Sequence, residues 1–434
     1  MTVICIGYYD KFSRFFLDIK KQLKASHVSS LNFKIHSIHL SGFIYTLCRL
    51  QFSSWIPMRA WLLVQYKKQF YKDIIQNTES FKGIPYWEYI KFHTALSTEI
   101  PKDSLQLQAL AYIDIFDKIF KKEQPNYLLT LGDSRLCVEI AVAIAAKYEV
   151  TTYYIEQGPF NTTFFDQEGV NANLSIRRNY STKLIDKSQP NYEPLLNPNS
   201  TKYNRSPIYR GLDFLTAALL ENSPLYPPDL KYTDVIHNPI NKTEKLKNNP
   251  AGNHYSHILL ALQVPRDVNM IYHSPNFKTH TEIVSNIYSN LPEGKQLVVR
   301  EHPLYINKYD ESLYKYIIEN NILIDNFTPL DQALDSAEVI VVNNSTVGIE
   351  AILKYKTVVV LGNAFYDNER VCLKLHDKDQ LKSLLQGAIH YKTKKAEIDT
   401  FKSILFNEVL LEGSISDKEL RASKKIANHL ITHQ

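Results

Sequence analysis

The stretch from Glu338 to Gly362 leaves this chain few options. It opens with Val339-Ile-Val-Val342, a short β-branched run of the kind buried on both faces of a sheet, and breaks at Asn343-Asn-Ser-Thr346. Apolar residues then return at helical spacing, Val347, Ile349, Ile352 and Leu353, before a second apolar run from Thr357 to Leu361. The pattern is strand, polar turn, helix, strand. Ser345 or Thr346 can cap the helix, and the free N–H groups of its first turn, added to the helix dipole, make a seat for an anion such as a phosphate. Glu350 falls one turn further along, where a carboxylate could accept hydrogen bonds from a ribose. Two readings stand at this point, a nucleotide site and an ordinary capped helix of an α/β protein.

A chain of 434 residues is too long for one core and suggests two domains of about 200 residues each. With 44% hydrophobic and 22% charged residues it is of ordinary globular composition. A net charge of +5 is too weak to argue for nucleic acid, and none is expected as a partner. The cysteines, Cys5, Cys48, Cys137 and Cys372, are far apart and form no CxxC pair, so reduced thiols in a cytoplasmic protein are expected rather than a zinc site or disulfides. The first residues, Met1 to Gly7, read as a buried strand and not as a signal peptide, and no apolar run is long enough to span a membrane.

In chain order, a helix is expected over Phe12 to Leu23 and a strand over Asn32 to His39. Gly42 to Tyr66 is rich in aromatics and is followed by Lys67, Lys68 and Lys72. An amphipathic pair of helices fits it, either touching anionic lipid or packing into a core with a solvated basic end. A helix over Ser104 to Lys122, a strand over Tyr127 to Leu131, a helix over Leu136 to Tyr148 and a strand over Val150 to Ile155 follow. Asp133 and Glu156 both sit at strand ends, where ligands gather in open α/β sheets. Asp133 reads as a helix N-cap, whereas nothing local requires a carboxylate at Glu156. Between Thr182 and Asn253 prolines are interleaved with asparagines and lysines, which suits an interdomain connection with one helix at Leu212 to Leu220.

The second half opens with a strand over His257 to Gln263, and Pro265 then places Arg266 and Asp267 in a loop at its carboxyl end. A helix over Glu282 to Leu291, a strand over Gln296 to Arg300 ending in Glu301-His-Pro303, a strand over Ile322 to Asp325 and a helix over Leu330 to Ser336 lead to the opening stretch. Asp267, His302 and the turn Asn343 to Thr346 therefore all follow strands, and should converge on one edge of a parallel sheet. Helices over Asp377 to Ile389, Ile398 to Leu411 and Asp417 to Ile431 close the chain. The domain plan is an N-terminal Rossmann-like domain at 1–185, a connection at 186–253, a C-terminal Rossmann-like domain at 254–410, and a last helix at 411–434 that could cross back to the first.

Neither GxxxxGK[ST] nor GxGxxG nor HExxH is present, against a P-loop NTPase, a dinucleotide oxidoreductase and a zincin in turn. The residues that remain suit transfer from a nucleotide sugar. The turn at Ser345 and Thr346 could seat a phosphate, His302 could donate a hydrogen bond to it as it leaves, Glu350 could hold the ribose, and Asp267 or Glu156 could act at the anomeric carbon.

Three segments, Leu262-Gln-Val-Pro-Arg-Asp267 with His273-Ser-Pro275, Arg300-Glu-His-Pro303, and Asn343-Asn-Ser-Thr-Val-Gly-Ile-Glu350, resemble the capsule polysaccharide biosynthesis family of Gram-negative bacteria, the KpsC and KpsS type, and related WbbB-like transferases. Gly132-Asp-Ser-Arg135 and Glu156-Gln-Gly158, with Asp166 and Gly169, are similar to that family too, so the resemblance covers roughly residues 126 to 366. It implies an α/β, GT-B-like fold of two Rossmann-type domains with parallel sheets and a cleft between them. It implies a retaining β-Kdo transferase using CMP-β-Kdo as donor substrate, with no cofactor and no metal. Asp267 would be the nucleophile, Glu156 the acid/base or acceptor-side carboxylate, His302, Asn344, Ser345 and Thr346 the binders of the CMP phosphate, and Glu350 of the ribose. Large members carry two transferase modules and this chain has one copy of each motif, which implies a single linkage on a lipid or glycan acceptor, in the cytoplasm or at the inner face of the inner membrane. A CDP-glycerol-type glycerophosphotransferase and a noncatalytic component of capsule assembly or export are the other readings.

Overall fold

The computed structural model describes residues 1–26, 28, 30–97, 100–178, 201–230, 256–265 and 267–433. Arg266 and most of the expected connection, 186–253, lie outside the described residues. Contacts divide the chain into two units, one of Met1–Val170 with Pro190–Asp234 and Glu408–Gln434, the other of Asn171–Gln189 with Val235–Asn407.

In the first unit, the apolar first residues form β1 (Thr2–Gly7), which pairs in parallel with β2 (Asn32–Ser37), and β2 with β3 (Ser53–Trp55). The chain then crosses to the other side of β1 to lay down β4 (Tyr127–Leu131) and β5 (Thr151–Gln157), again parallel, before β6 (Thr162–Asp166) turns back antiparallel. The central strands are buried along almost their whole length because helices cover both faces, so Val3, Cys5 and Leu129 meet Phe15, Phe16 and Ile19 of the helix Asp10–Ala25. Each such side chain contributes about 1.5–3 kcal/mol by leaving water.

The second unit repeats the scheme. β7 (His257–Ala261), β8 (Gln296–Arg300) and β9 (Leu323–Ile324) run outward in one direction, and β10 (Val339–Val342), β11 (Thr357–Val360) and β12 (Leu373–Lys374) in the other, all parallel. The order is β12-β11-β10-β7-β8-β9, so the topology reverses between β7 and β10. That is the Rossmann order, and the fold is α/β and GT-B-like in its parts, two such units in one chain. Among the described residues, no helix is long and apolar enough to cross a membrane.

One more strand, β13 (Leu410–Glu412), returns to the first sheet and pairs antiparallel with β6, giving the order β13-β6-β5-β4-β1-β2-β3. The helix expected over Ile398 to Leu411 runs to Ile404, continues as a π-helix over Leu405–Val409 and gives way only at Leu410, where the chain finds backbone partners on the open edge of β6. The pair of helices expected between Gly42 and Tyr66 is also divided, into Leu40–Leu47 and Ile56–Asn77, by β3 pairing with Ile35 to Ser37. The longer helix buries Ile56, Ala60, Val64 and Tyr71 and leaves Met58, Trp61, Leu62, Tyr66 and Phe70 exposed.

Candidate functional site

The reversal between β7 and β10 splays the loops after those strands apart and leaves a crevice at their carboxyl ends. A cavity of about 140 Å³ sits there, with Gln263, Asp267, His302, Asn344, Ser345 and Thr346 among its lining residues. Five of the residues singled out from sequence thus reach one place. Glu350 does not, because its helix, Val347–Leu353, carries it past the rim; burial, with Asp331 nearby, pushes its carboxyl above the usual range.

After β7, Pro265 ends the ladder and Asp267 caps the short helix Val268–Ile271. Its Oδ1 accepts from the Val268 N–H at 2.7 Å and its Oδ2 from the Asn269 amide at 3.1 Å, so the carboxylate is held in one orientation. After β8, Glu301 is buried and accepts from Tyr314 Oη–H, the Asn326 side-chain amide and the Asn307 N–H, which shapes the turn that presents His302. His302 Nδ1 accepts from the Leu304 N–H at 3.3 Å, which puts the proton of the neutral ring on Nε2. Burial lowers its pKa below the ordinary histidine value, against the pull of Asp267.

The turn after β10 is built from side chains turned inward. Asn344 donates to the carbonyls of Asn269 at 2.8 Å and His273 at 3.1 Å, and Tyr366 donates to the Ser345 carbonyl. The helix is capped by Ser345, whose Oγ accepts from the Val347 N–H at 3.4 Å; Thr346 makes no cap bond. Gln263 Oε1 and Asn344 Oδ1 are buried and have no hydrogen-bond partner among the described residues, two acceptors at the cavity wall. Among those residues no group of three or more His, Cys, Asp or Glu side chains is placed to hold a metal ion.

In the first unit, Glu156 lies within β5 opposite Phe164, its Oε1 accepting from the Gln157 N–H at 2.9 Å, and its charge reaches Tyr9 and Lys11. Asp133 is not the expected helix cap. Gly132 takes a left-handed φ of 71°, Asp133 turns to accept from the Val170 N–H at 3.0 Å, and His93 Nε2 accepts from the first N–H of the helix, that of Leu136, at 3.1 Å. Sequence spacing missed Gln263, Asn363 and Phe365, which also line the cavity of the second unit. The signal available for the last two was their place just after the strand neighbouring β10.

Fold and cavity together define the class, an α/β protein of GT-B-like parts with a polar ligand cavity at a topological switch point. Residues 232–403 match the profile of the family described as capsule polysaccharide biosynthesis protein. It is similar to FixF of Sinorhizobium fredii, 27% identical over 191 residues, 43% of this chain and 46% of that protein. It is similar as well to the capsule polysaccharide export protein KpsS of Escherichia coli, 31% identical over 118 residues, 25% of this chain and 30% of that protein. The chain thus spans less than half the length of these curated relatives. Among solved structures it is similar to a β-Kdo 2,7 transferase of KpsC from Thermosulfurimonas dismutans, with 18% identity, a TM-score of 0.34 and coverage of 63% of this chain and 80% of that one. A UDP-GlcNAc 2-epimerase from Neisseria meningitidis gives 12% identity, a TM-score of 0.36 and coverage of 100% of both chains.

Proposed function

We propose that the chain is a retaining glycosyltransferase that moves β-Kdo from CMP-β-Kdo to a lipid or glycan acceptor in the making of a capsule or other surface polysaccharide. The observation that carries this reading is the meeting of Asp267, His302, Asn344, Ser345 and Thr346 around one cavity at the carboxyl ends of β7, β8 and β10. The family segment, 232–403, contains all five.

In the proposed reaction an Asp267 oxygen attacks the anomeric carbon and forms an ester bond to it. The bond from that carbon to the phosphate oxygen breaks, and its electron pair leaves with CMP. His302 Nε2–H donates to that oxygen as charge develops, and the N–H groups at the Ser345–Thr346 turn hold the phosphate. An acceptor hydroxyl then attacks the same carbon, Asp267 departs as carboxylate, and a general base, the role proposed for Glu156, takes the hydroxyl proton. Two displacements at one carbon retain configuration.

The capping of Val268 by Asp267 favours one second reading, a CDP-glycerol-type glycerophosphotransferase, in which attack falls on phosphorus and Asp267 is structural. Intact-protein mass spectrometry after brief mixing with CMP-β-Kdo, without acceptor, separates them. A Kdo adduct on the wild type, absent from Asp267→Asn, is expected. CMP release with no adduct on either protein overturns the covalent step, and turnover of CDP-glycerol with CMP-β-Kdo untouched establishes the second reading.

A further inference from the structure

The first unit holds a larger cavity, of about 760 Å³, lined by the helix Asp10–Ala25, the residues at and before the last helix, Arg421–Thr432, and Tyr45 and Arg49. Seven lysines and arginines line it against two carboxylates, Asp18 and Glu419. Arg421 is matched by Glu412 and Glu419, and Lys425 lies 3.8 Å from Glu412. Arg14 and Arg49 donate only to main-chain carbonyls, which leave their charge in place. Lys21, Lys418 and Lys424 are exposed and make no side-chain hydrogen bond or ion pair among the described residues, so their N–H donors are available.

The surface that continues from this cavity is apolar. Arg49 stands over the Tyr45 ring at 3.6 Å, and that ring lies 5.4 Å from the ring of Tyr209 on the helix Pro207–Leu220. Beside Arg49, Leu50 is 96% exposed, and Leu47 is exposed as well. Ile208, Leu215 and Leu219 share one face of Pro207–Leu220 and are all exposed, Ile208 by 74% and Leu219 by 72%. The one carboxylate of that helix, Asp213, is turned inward to Ser41 and Arg205, whereas Arg210 is exposed. Cations without carboxylate partners beside exposed leucines match a surface of anionic lipid, with phosphates at one level and acyl chains below it. A soluble polyanion would meet the cations and offer nothing to the leucines.

We propose that this face of the first unit docks on a bilayer of anionic lipid. The cavity of Lys21, Lys418 and Lys424 takes headgroup phosphates, while Leu50 and the outer face of Pro207–Leu220 enter the acyl boundary. Of the aromatic stretch Gly42 to Tyr66, this surface uses the tip at Leu47 and Leu50; most of its apolar side comes from a helix far along the chain. The docking requires no donor and no transfer step, so it stands or falls apart from the transferase reading.

The test is flotation of the full chain with vesicles of phosphatidylcholine, alone or equimolar with phosphatidylglycerol, for wild type, Lys21→Gln/Lys424→Gln and Leu50→Gln/Leu219→Gln. All four positions are exposed, so neither variant opens a core. The wild type is expected to bind the anionic vesicles about tenfold or more tightly than the neutral ones, and the lysine variant to lose most of that preference. High salt should do the same to the wild type. The leucine variant should bind both kinds of vesicle more weakly. Wild type that binds neither kind, or both equally, overturns the proposal, and so does either variant binding as the wild type does. Capture of soluble polyphosphate or heparin, lost in the lysine variant, with no flotation on vesicles, also overturns it and gives the cavity to an acidic polymer.

Discussion

The side-chain amide of Asn344 donates to the main-chain carbonyl of Asn269 at 2.8 Å, tying the turn after β10 to the short helix that Asp267 caps. The same nitrogen reaches the His273 carbonyl at 3.1 Å. Two loops at the switch point are thereby fixed to one another by one residue, and what orders the Ser345–Thr346 turn also orders the Asp267 carboxylate.

Asn344→Ala is therefore expected to act on both. It strips the Asn269 carbonyl of its side-chain donor, at about 1–3 kcal/mol if left unpaired, while the His273 carbonyl keeps the Asn363 N–H at 2.7 Å. Urea denaturation should show the lower midpoint, and titration with CMP a weakened affinity. A variant that loses stability while binding CMP as the wild type does would show that the tie has no bearing on the ligand.

Gly348 carries a second constraint on the same turn. A Cβ there would stand 2.5 Å from Tyr366 Oη, the group that donates to the Ser345 carbonyl, and Tyr366 is fully buried. Gly348→Ala should cost about 1–3 kcal/mol of overpacking and displace Ser345 with it. Urea denaturation should show it; because Cε2 and Cζ of Tyr366 would also stand 2.7 Å from that Cβ, removing the hydroxyl alone in Gly348→Ala/Tyr366→Phe should not restore stability, and a single variant as stable as the wild type would refute the contact.

His302 is expected to serve the leaving phosphate through Nε2–H. His302→Ala should lower kcat roughly 10²-fold, the usual size for one positioned proton donor, with KM changed far less. Because burial depresses its pKa, the ring keeps its neutral form to lower pH than an ordinary histidine, and any acid-side fall of kcat that it causes should be centred below pH 6.5. A loss in KM alone would move His302 from the departing oxygen to simple binding.

Acid should destabilise the fold well above the range of carboxylate titration. Burial holds His36 to about 3, and His273 and His280 to about 4, against an ordinary 6.5. The unfolded chain then binds protons that the folded chain refuses, so stability is fully present above pH 6.5 and is lost as pH falls from there towards 4. The loss is about 1.4 kcal/mol for each unit of difference at each histidine. Denaturant unfolding at stepped pH should trace it, and His280→Leu should fall less steeply than the wild type; parallel curves would remove His280 from the account.

Much of this could be read from the residues. β4, β8 and the helix Leu330–Ser336 have the bounds their apolar spacing predicts, and the strand-end placement of Asp267, His302 and Asn344 follows from the β-branched runs before them. What escaped is what other parts of the chain decide. Apolar spacing assigns no element to Thr162–Asp166, yet β6 holds Thr162 and Thr163 fully buried because β5 and β13 pair on either side. Leu410 and Leu411 continue a helical period, yet hydrogen-bond to a strand. Arg177, Asp367 and Lys374 meet only after folding, so no local spacing announces their ion pairs.

The late return of β13 and of the helix Arg421–Thr432, whose Ile426 and Leu430 pack with Phe15 and Ile19, has a consequence for birth on the ribosome. The first unit emerges first but waits, with an open edge on β6, until the whole second unit has been translated. At about 5–20 residues per second that interval is on the order of ten seconds or longer. A chain that stops near residue 405 would thus keep almost all of the second unit and lose the strand and helix that complete the first.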